Sequence, residues 1–167
     1  MRTHAMTTAT KPAPRSPSAE AQLKAFIEKF DPKDQRRIRA ARKVMRARLP
    51  TANELVYDNY NFFVIGYCPT ERPSDAILSL AAQANKLALC FLYGKRLPDP
   101  TRRLLGDGSQ TRSLPLPSAG DLSDPDVDAL ITAAVDQAKR PFRATGRGTL
   151  IIRSISAKQR PRRKPAT

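Results

Sequence analysis

The stretch ELVYDNYNFFVIGY, Glu54–Tyr67, decides how the chain folds. Two short runs rich in β-branched and aromatic residues, Glu54–Tyr60 and Phe62–Tyr67, are punctuated by Asp58-Asn59, a pair that favours turns. They predict two antiparallel strands joined by a hairpin. Working outward, Ala76–Ala81 and Lys86–Tyr93 repeat the pattern, set off by turn formers at Pro69 through Ser74 and at Asn85. The turn Gly106–Ser109 leads to a fifth run, Thr111–Leu116, and Pro115 places it near a sheet edge because proline cannot donate to a ladder.

On the N-terminal side the apolar period changes from strand-like to helical. Leu23, Phe26, Ile27 and Phe30 fall at i, i+3, i+4 and i+7, with Ser18 as N-cap. Asp31-Pro32 breaks that helix and starts the next, Asp31 as cap and Asp34 at the positive end of the dipole. The second helix runs to about Leu49, before Pro50, with Ile38, Ala41, Met45 and Leu49 as its inner stripe. On the C-terminal side, Asp124-Pro125 opens a last helix with Leu130, Ile131, Ala134 and Val135 inward, ending before Pro141. The turn Thr145–Gly148 and a final strand, Thr149–Ile155, follow. The expected fold is α+β: an antiparallel sheet of five to six strands covered on one face by two N-terminal helices and one C-terminal helix. Leu23, Phe26, Ile27, Ile38, Met45, Val64, Ile77, Leu89, Phe91, Leu130, Ile131 and Ile152 are expected to share one core.

The chain has 167 residues, enough for one domain with a core that needs no disulfide or metal. That domain is expected over residues 18–156, between a disordered leader, 1–17, and a disordered basic tail, 157–167. The leader is rich in Thr, Ser and Pro and has too little apolar surface to order itself. Charge is strongly positive, 30 Lys+Arg against 15 Asp+Glu, which draws the protein toward polyanions. All the acidic residues lie between Glu20 and Asp136, whereas Lys158, Arg160, Arg162, Arg163 and Lys164 in the tail are unopposed. No apolar run is long enough for a membrane span, so no membrane association is expected. Cys68 and Cys90 sit in apolar runs without metal or redox spacing and read as reduced thiols of a cytoplasmic protein.

Catalytic chemistry finds little to work with. The one histidine, His4, lies in the leader, which leaves the domain no His-based triad, metal site or general base. Asp121, Asp124, Asp126 and Asp128 alternate like the start of a calcium loop. However, Ala129 and Val135 stand where such a loop needs glycine and a bidentate glutamate, and helix capping accounts for the aspartates. Gly146-x-Gly148 lacks a third glycine and precedes a strand, unlike a phosphate cradle, and Gly106-Asp107-Gly108 reads as a hairpin turn. The expectation is therefore a non-enzymatic protein with no catalytic residues, no cofactor and no metal.

Two groups of residues remain as binding candidates. Tyr57, Asn59, Tyr60 and Asn61 bring phenol and amide groups into the hairpin, where they serve either turn chemistry or a ligand pocket. Arg36, Arg39, Lys43 and Arg46 share one face of the second helix and, with the tail cations Lys158, Arg160, Arg162, Arg163 and Lys164, form a candidate polyanion-binding set. If all five tail cations neutralised duplex phosphates, log affinity would fall against log salt with a slope of about −4.5.

The blocks VYDNYNFFVIGY (Val56–Tyr67), PTERPSDAILSL (Pro69–Leu80), CFLYGKRLPDP (Cys90–Pro100) and GRGTLIIRSISAKQRPRR (Gly146–Arg163) resemble, in that order, the YdhG-like family, a domain of unknown function. The resemblance runs from about Ala21 to Arg163 and implies a frataxin-like sandwich of helices on an antiparallel sheet. One branch of that family is described as a frataxin-like iron chaperone. The acidic helix that frataxins use is basic here, so the fold carries over and the iron role does not. The expected function is a binding domain for an unknown small ligand or protein partner, with a nonspecific nucleic-acid-associated protein using helix and tail as the alternative and an iron chaperone left only as the further alternative that the family resemblance implies.

Overall fold

A computed structural model describes residues 16–165. The helix α1 (Ala19–Glu28) starts at Ser18, whose hydroxyl accepts the Ala21 N–H at 3.1 Å. Helix α2 (Pro32–Arg48) follows with proline in its first turn. Strands β1 (Asn53–Asp58), β2 (Phe63–Cys68), β3 (Leu78–Gln83) and β4 (Lys86–Phe91) form a meander, and β5 (Arg112–Pro115) adds to its far side. Helix α3 (Pro125–Asp136) then leads to β6 (Leu150–Ile155). The leader expected over residues 1–17 lies, except for its last two residues, outside the described part of the chain.

The sheet order is β5-β4-β3-β2-β1-β6, with β5 on an edge as Pro115 requires. The expectation of an all-antiparallel sheet needs one correction: β6 pairs with β1 in parallel. After β5 the chain crosses the helical layer through α3 to the opposite edge and arrives running the same way as β1, a connection of the length that parallel pairing requires.

All three helices cover one sheet face. Side chains at alternate positions, among them Val56, Phe63, Ile65, Tyr67, Leu80, Leu89 and Phe91, pack against Leu23, Phe26, Ile27, Ile38, Met45, Leu130 and Ile131 in one core. Phe63 meets Phe30 edge-on and Phe26 at a tilt, ring centroids 6.0 and 6.3 Å apart. Val64 is a correction to the expected core, since it pairs with Tyr57 and Ala81 on the opposite face. In α3 the buried residues are Val127, Leu130, Ile131 and Ala134, while Val135 is only half-buried. The second sheet face carries a smaller cluster of Leu55, Cys68 and Ala76. The loop after β2 folds over it, with the Cys68 thiol donating to the Arg72 carbonyl at 3.1 Å.

The basic segment expected to stay solvated is instead folded back across the start of α2. Arg162, 5% exposed, donates from Nη2 to Asp58 Oδ1 at 3.0 Å and to the Asn59 carbonyl, and lies over the Phe30 ring. Lys29 reaches the other Asp58 oxygen at 2.7 Å, while Gln159 Nε2 donates to the Asp58 carbonyl at 2.8 Å. Asp31, expected to cap α2, makes no such bond; its carboxylate accepts the Lys164 N–H at 3.4 Å and faces Arg163 at 3.9 Å. A buried carboxylate must be paired, and Asp58 takes its second partner from this segment. Asp34 is also turned inward, accepting from Arg37 Nη2 and from the Asn85 N–H, each at 2.8 Å, which fastens α2 to the β3–β4 turn.

Candidate anion-binding cleft

A cleft of 540 Å³ opens where α1, the second half of α2, the start of β1 and the Arg147-Gly148 turn meet. Its floor follows from strand register. Glu54 and Tyr67 are directly paired across β1 and β2 and both point to the helical side, so the Tyr67 hydroxyl lies 3.3 Å from Glu54 Oε2. Arg42, one turn beyond Ile38 on the flank of the inner stripe of α2, enters above them. Its Nε and Nη2 bond both Glu54 oxygens at 3.0 and 2.8 Å, and its two terminal nitrogens bond both Glu20 oxygens at 3.1 and 2.8 Å. Such double forks are the strongest arginine–carboxylate geometry.

This arrangement fixes the charge states. Burial works against the Arg42 charge, but the hydrogen bonds to Glu54 and Glu20 outweigh it and hold the guanidinium firmly protonated. The hydrogen bond from Arg42 lowers the Glu20 pKa. Burial, followed by the negative charge of Glu54, pushes the Tyr67 phenol well above its ordinary range and keeps it neutral.

Above the floor the cleft is cationic. Its lining includes Lys24, Arg39, Arg42, Lys43, Arg46 and Arg147, against only Glu20 and Glu54. Both carboxylates are held by Arg42, and Arg46 adds a longer 3.7 Å contact to Glu54. Among the described residues Arg39, Lys43 and Arg147 have no ion-pair partner; Arg39 donates only to Gln35 Oε1 at 3.1 Å. An anion entering here meets three cations without an ion-pair partner, above two carboxylates that Arg42 and Arg46 already balance. Gly148 contributes through its missing side chain: a Cβ there would stand 1.7 Å from the Ala52 carbonyl oxygen, so only glycine lets this loop approach the start of β1.

The residues singled out by sequence divide among three places. Arg39, Lys43 and Arg46 line the cleft, and Arg36 is exposed on the same helix. Tyr57, Asn59, Tyr60 and Asn61 line neither this cleft nor the hollow beside the end of α3. Asn59 accepts the Ser154 hydroxyl through Oδ1 at 2.6 Å, the Tyr60 carbonyl accepts the Arg160 N–H at 2.9 Å with Arg160 also over its ring, and the Asn61 carbonyl accepts from Gln83. Tyr57 is half-buried, and burial raises its pKa. In the C-terminal segment Lys158, Arg160, Arg163 and Lys164 are exposed, but Arg162 is consumed by Asp58.

Sequence reasoning missed Glu20, Arg42, Glu54, Tyr67 and Arg147. One signal was available: Glu54 has the same strand parity as the buried Val56, and a carboxylate on a core-facing position demands a cation nearby. The aspartates before α3 serve local structure. Asp121 accepts the Ser118 N–H, Asp124 caps α3 through the Asp126 N–H, and Asp128 faces Arg48 at 3.2 Å. Among the described residues no three His, Cys, Asp or Glu side chains converge as metal ligands would, and no helix is long and apolar enough to cross a membrane. Comparison with family models, with curated proteins and with solved structures finds no match to this chain.

Proposed function

We infer that the protein is a non-enzymatic binding domain of the YdhG-like kind, and that its ligand is a small, densely anionic molecule such as a phosphate ester or polyphosphate held in the α1–α2 cleft. The observation carrying this reading is that Arg42 and Arg46 together balance the two carboxylates of the cleft, leaving Arg39, Lys43 and Arg147 at its rim with no acidic partner among the described residues. The double fork on Arg42 also fixes the floor in advance of binding, which lowers the ordering cost a ligand must overcome. Phosphate oxygens suit such a rim because guanidinium groups bond them in pairs.

Thermal shift and calorimetry with inorganic phosphate, pyrophosphate and tripolyphosphate test this. Saturable binding that tightens with charge and disappears in the Arg39→Ala, Lys43→Ala, Arg46→Ala triple variant supports the cleft. Absence of binding at low salt, or binding indifferent to the triple variant, refutes it.

A second reading, nonspecific nucleic-acid association, is favoured by the exposed row Arg36, Arg39, Lys43 and Arg46, which leads out of the cleft along α2. Four phosphate contacts would give a slope of log affinity against log salt of about −3.6. The C-terminal segment, with Arg162 withdrawn, offers four exposed cations and the same slope of about −3.6, not the −4.5 expected of five. Anisotropy with a labelled duplex distinguishes the sources, because loss of affinity follows either the helix substitutions or replacement of Lys158, Arg160, Arg163 and Lys164.

A further inference from the structure

Another hollow, 710 Å³, lies between the C-terminal end of α3 and the chain entering and leaving the β3–β4 pair. It shares no lining residue with the α1–α2 cleft. Its volume falls within the usual range of small-molecule sites, about 300–1,000 Å³.

The character of its surface differs from that of the cleft. The floor is apolar and mostly built from short side chains: Ala76 and Ile77 before β3, Ala134 from α3 and Ala138 just beyond it. The methyl groups of the three alanines leave space that a leucine or phenylalanine would fill. Tyr93 lines one side with 42% of its surface exposed. The wall is anchored on both sides. Gln137 Nε2 of the α3 terminus donates to the Tyr93 carbonyl at 3.1 Å, the Leu92 N–H bonds the Ile77 carbonyl at 3.2 Å, and the Lys95 N–H bonds the Gln110 carbonyl at 2.9 Å. Gly94 sits so close to Arg112 that a Cβ would stand 2.6 Å from the arginine Cβ, so the turn carrying Tyr93 is packed against β5.

The rim is cationic. Lys95, Arg96 and Lys139 line it without an ion-pair partner among the described residues. The hollow's carboxylate, Asp75, already accepts the Thr70 hydroxyl at 2.8 Å and faces Arg140 at 3.6 Å. An apolar floor, an aromatic wall and unopposed cations at the mouth together select a flat apolar body with an anionic end.

We propose that this hollow binds an aryl anion: an aromatic ring system, stacked beside Tyr93 over the alanine floor, whose carboxylate, sulfonate or phosphate group meets Lys95, Arg96 and Lys139. A purely ionic ligand gains nothing from the floor, and a neutral arene gains nothing from the rim.

The test uses the full chain and anilinonaphthalene sulfonate as probe, read by fluorescence titration, with naphthyl phosphate and neutral naphthol as competitors. Expected are one saturable site, displacement by naphthyl phosphate well ahead of naphthol, and affinity reduced at least about tenfold, or 1.4 kcal/mol, by Lys95→Ala with Arg96→Ala and separately by Ala138→Leu. Ala138 is half-buried and tolerates a larger side chain better than Ala134; circular dichroism of each variant verifies its fold, and Tyr93→Ala supplies an independent change at an exposed position. Dye binding that is absent, unsaturable, unchanged by all three variants, or abolished by the triple variant of the α1–α2 cleft overturns the proposal. The last outcome separates it from the preceding section, since the two readings then fail or stand on different substitutions.

Discussion

Replacing Arg162 by alanine tests whether the C-terminal segment belongs to the fold. Asp58 is fully buried, and its two oxygens face Lys29 at 2.7 Å and Arg162 at 3.0 Å. Removing one partner of a buried ion pair costs about 3–5 kcal/mol, because the remaining charge is left without compensation in a poorly solvated place. Lys29 survives on the other oxygen, with its side chain 41% exposed, and holds part of that charge. The expected loss therefore sits at the low end, about 3 kcal/mol. For a domain of this size that corresponds to a fall of about 6–12 °C in Tm. Urea denaturation of wild type, Arg162→Ala, Asp58→Asn and the double variant supplies both the loss and the coupling, which for groups in contact is about 0.5–3 kcal/mol. A chain ending at Ser156 should lose at least as much as Arg162→Ala. An Arg162→Ala protein that unfolds at the wild-type midpoint would refute the reasoning and return the segment to solvent.

Further outcomes follow from the packing and from the cleft. Phe63→Ala removes a ring fully enclosed between Phe26, Phe30 and the sheet and should cost about 3–5 kcal/mol by denaturant melts, whereas Val64→Ala on the other face should cost clearly less. Gly148→Ala forces backbone away from Ala52 and should destabilise by at least about 1–3 kcal/mol, the usual cost of overpacking, with loss of anion binding at the cleft. Because Arg42 lowers the Glu20 pKa in the folded state, the Glu20 contribution is present above its unfolded pKa near 4.5 and disappears as the pH falls through the lower folded value. The stability difference between wild type and Glu20→Gln should therefore vanish in acid melts. Burial raises the Cys90 pKa, so its alkylation in the native state should be far slower than in urea, as followed by mass spectrometry.

What was legible in the sequence was whatever local chemistry decides. Ser18 and Asp124 cap the helices they precede, Pro115 lies on an edge strand, and the inner stripes of α1 and α2 are the buried ones. The parity of β2 was not legible, because FFVIGYC is apolar at every position except glycine. Alternation marks a face only when the other face is polar, and here the second face has its own cover. The loop after β2 shields Leu55 and Cys68, so selection against apolar residues is relaxed on both sides. The parallel placement of β6 is likewise absent from any local window. It depends on which edge of the sheet α3 returns to, and that is decided by the shape of the whole helical layer.

The misreading of the C-terminal segment has a different origin, and it bears directly on function. A stretch of Lys, Arg, Gln and Pro offers no apolar stripe and no period, so its composition predicts solvation. What orders it is a partner 104 residues away, a carboxylate that the hairpin reading had assigned to the turn. Asp58 closes β1 on a core-facing position, and Lys29 alone leaves the second oxygen of this buried carboxylate without a partner. The segment completes it with one guanidinium while the Ser156 N–H and Gln159 bond the Asp58 carbonyl and the Arg160 N–H bonds that of Tyr60. The same rule locates the cleft: Glu54, at the other end of the same strand and on the same face, takes Arg42 from α2. Both ends of β1 thus use an inward carboxylate to recruit an arginine from elsewhere in the chain. At Asp58 the recruited arginine is sealed beneath its neighbours, and at Glu54 it is left beneath an open rim of unopposed cations. That difference in cover makes one end a fastening and the other the candidate binding site.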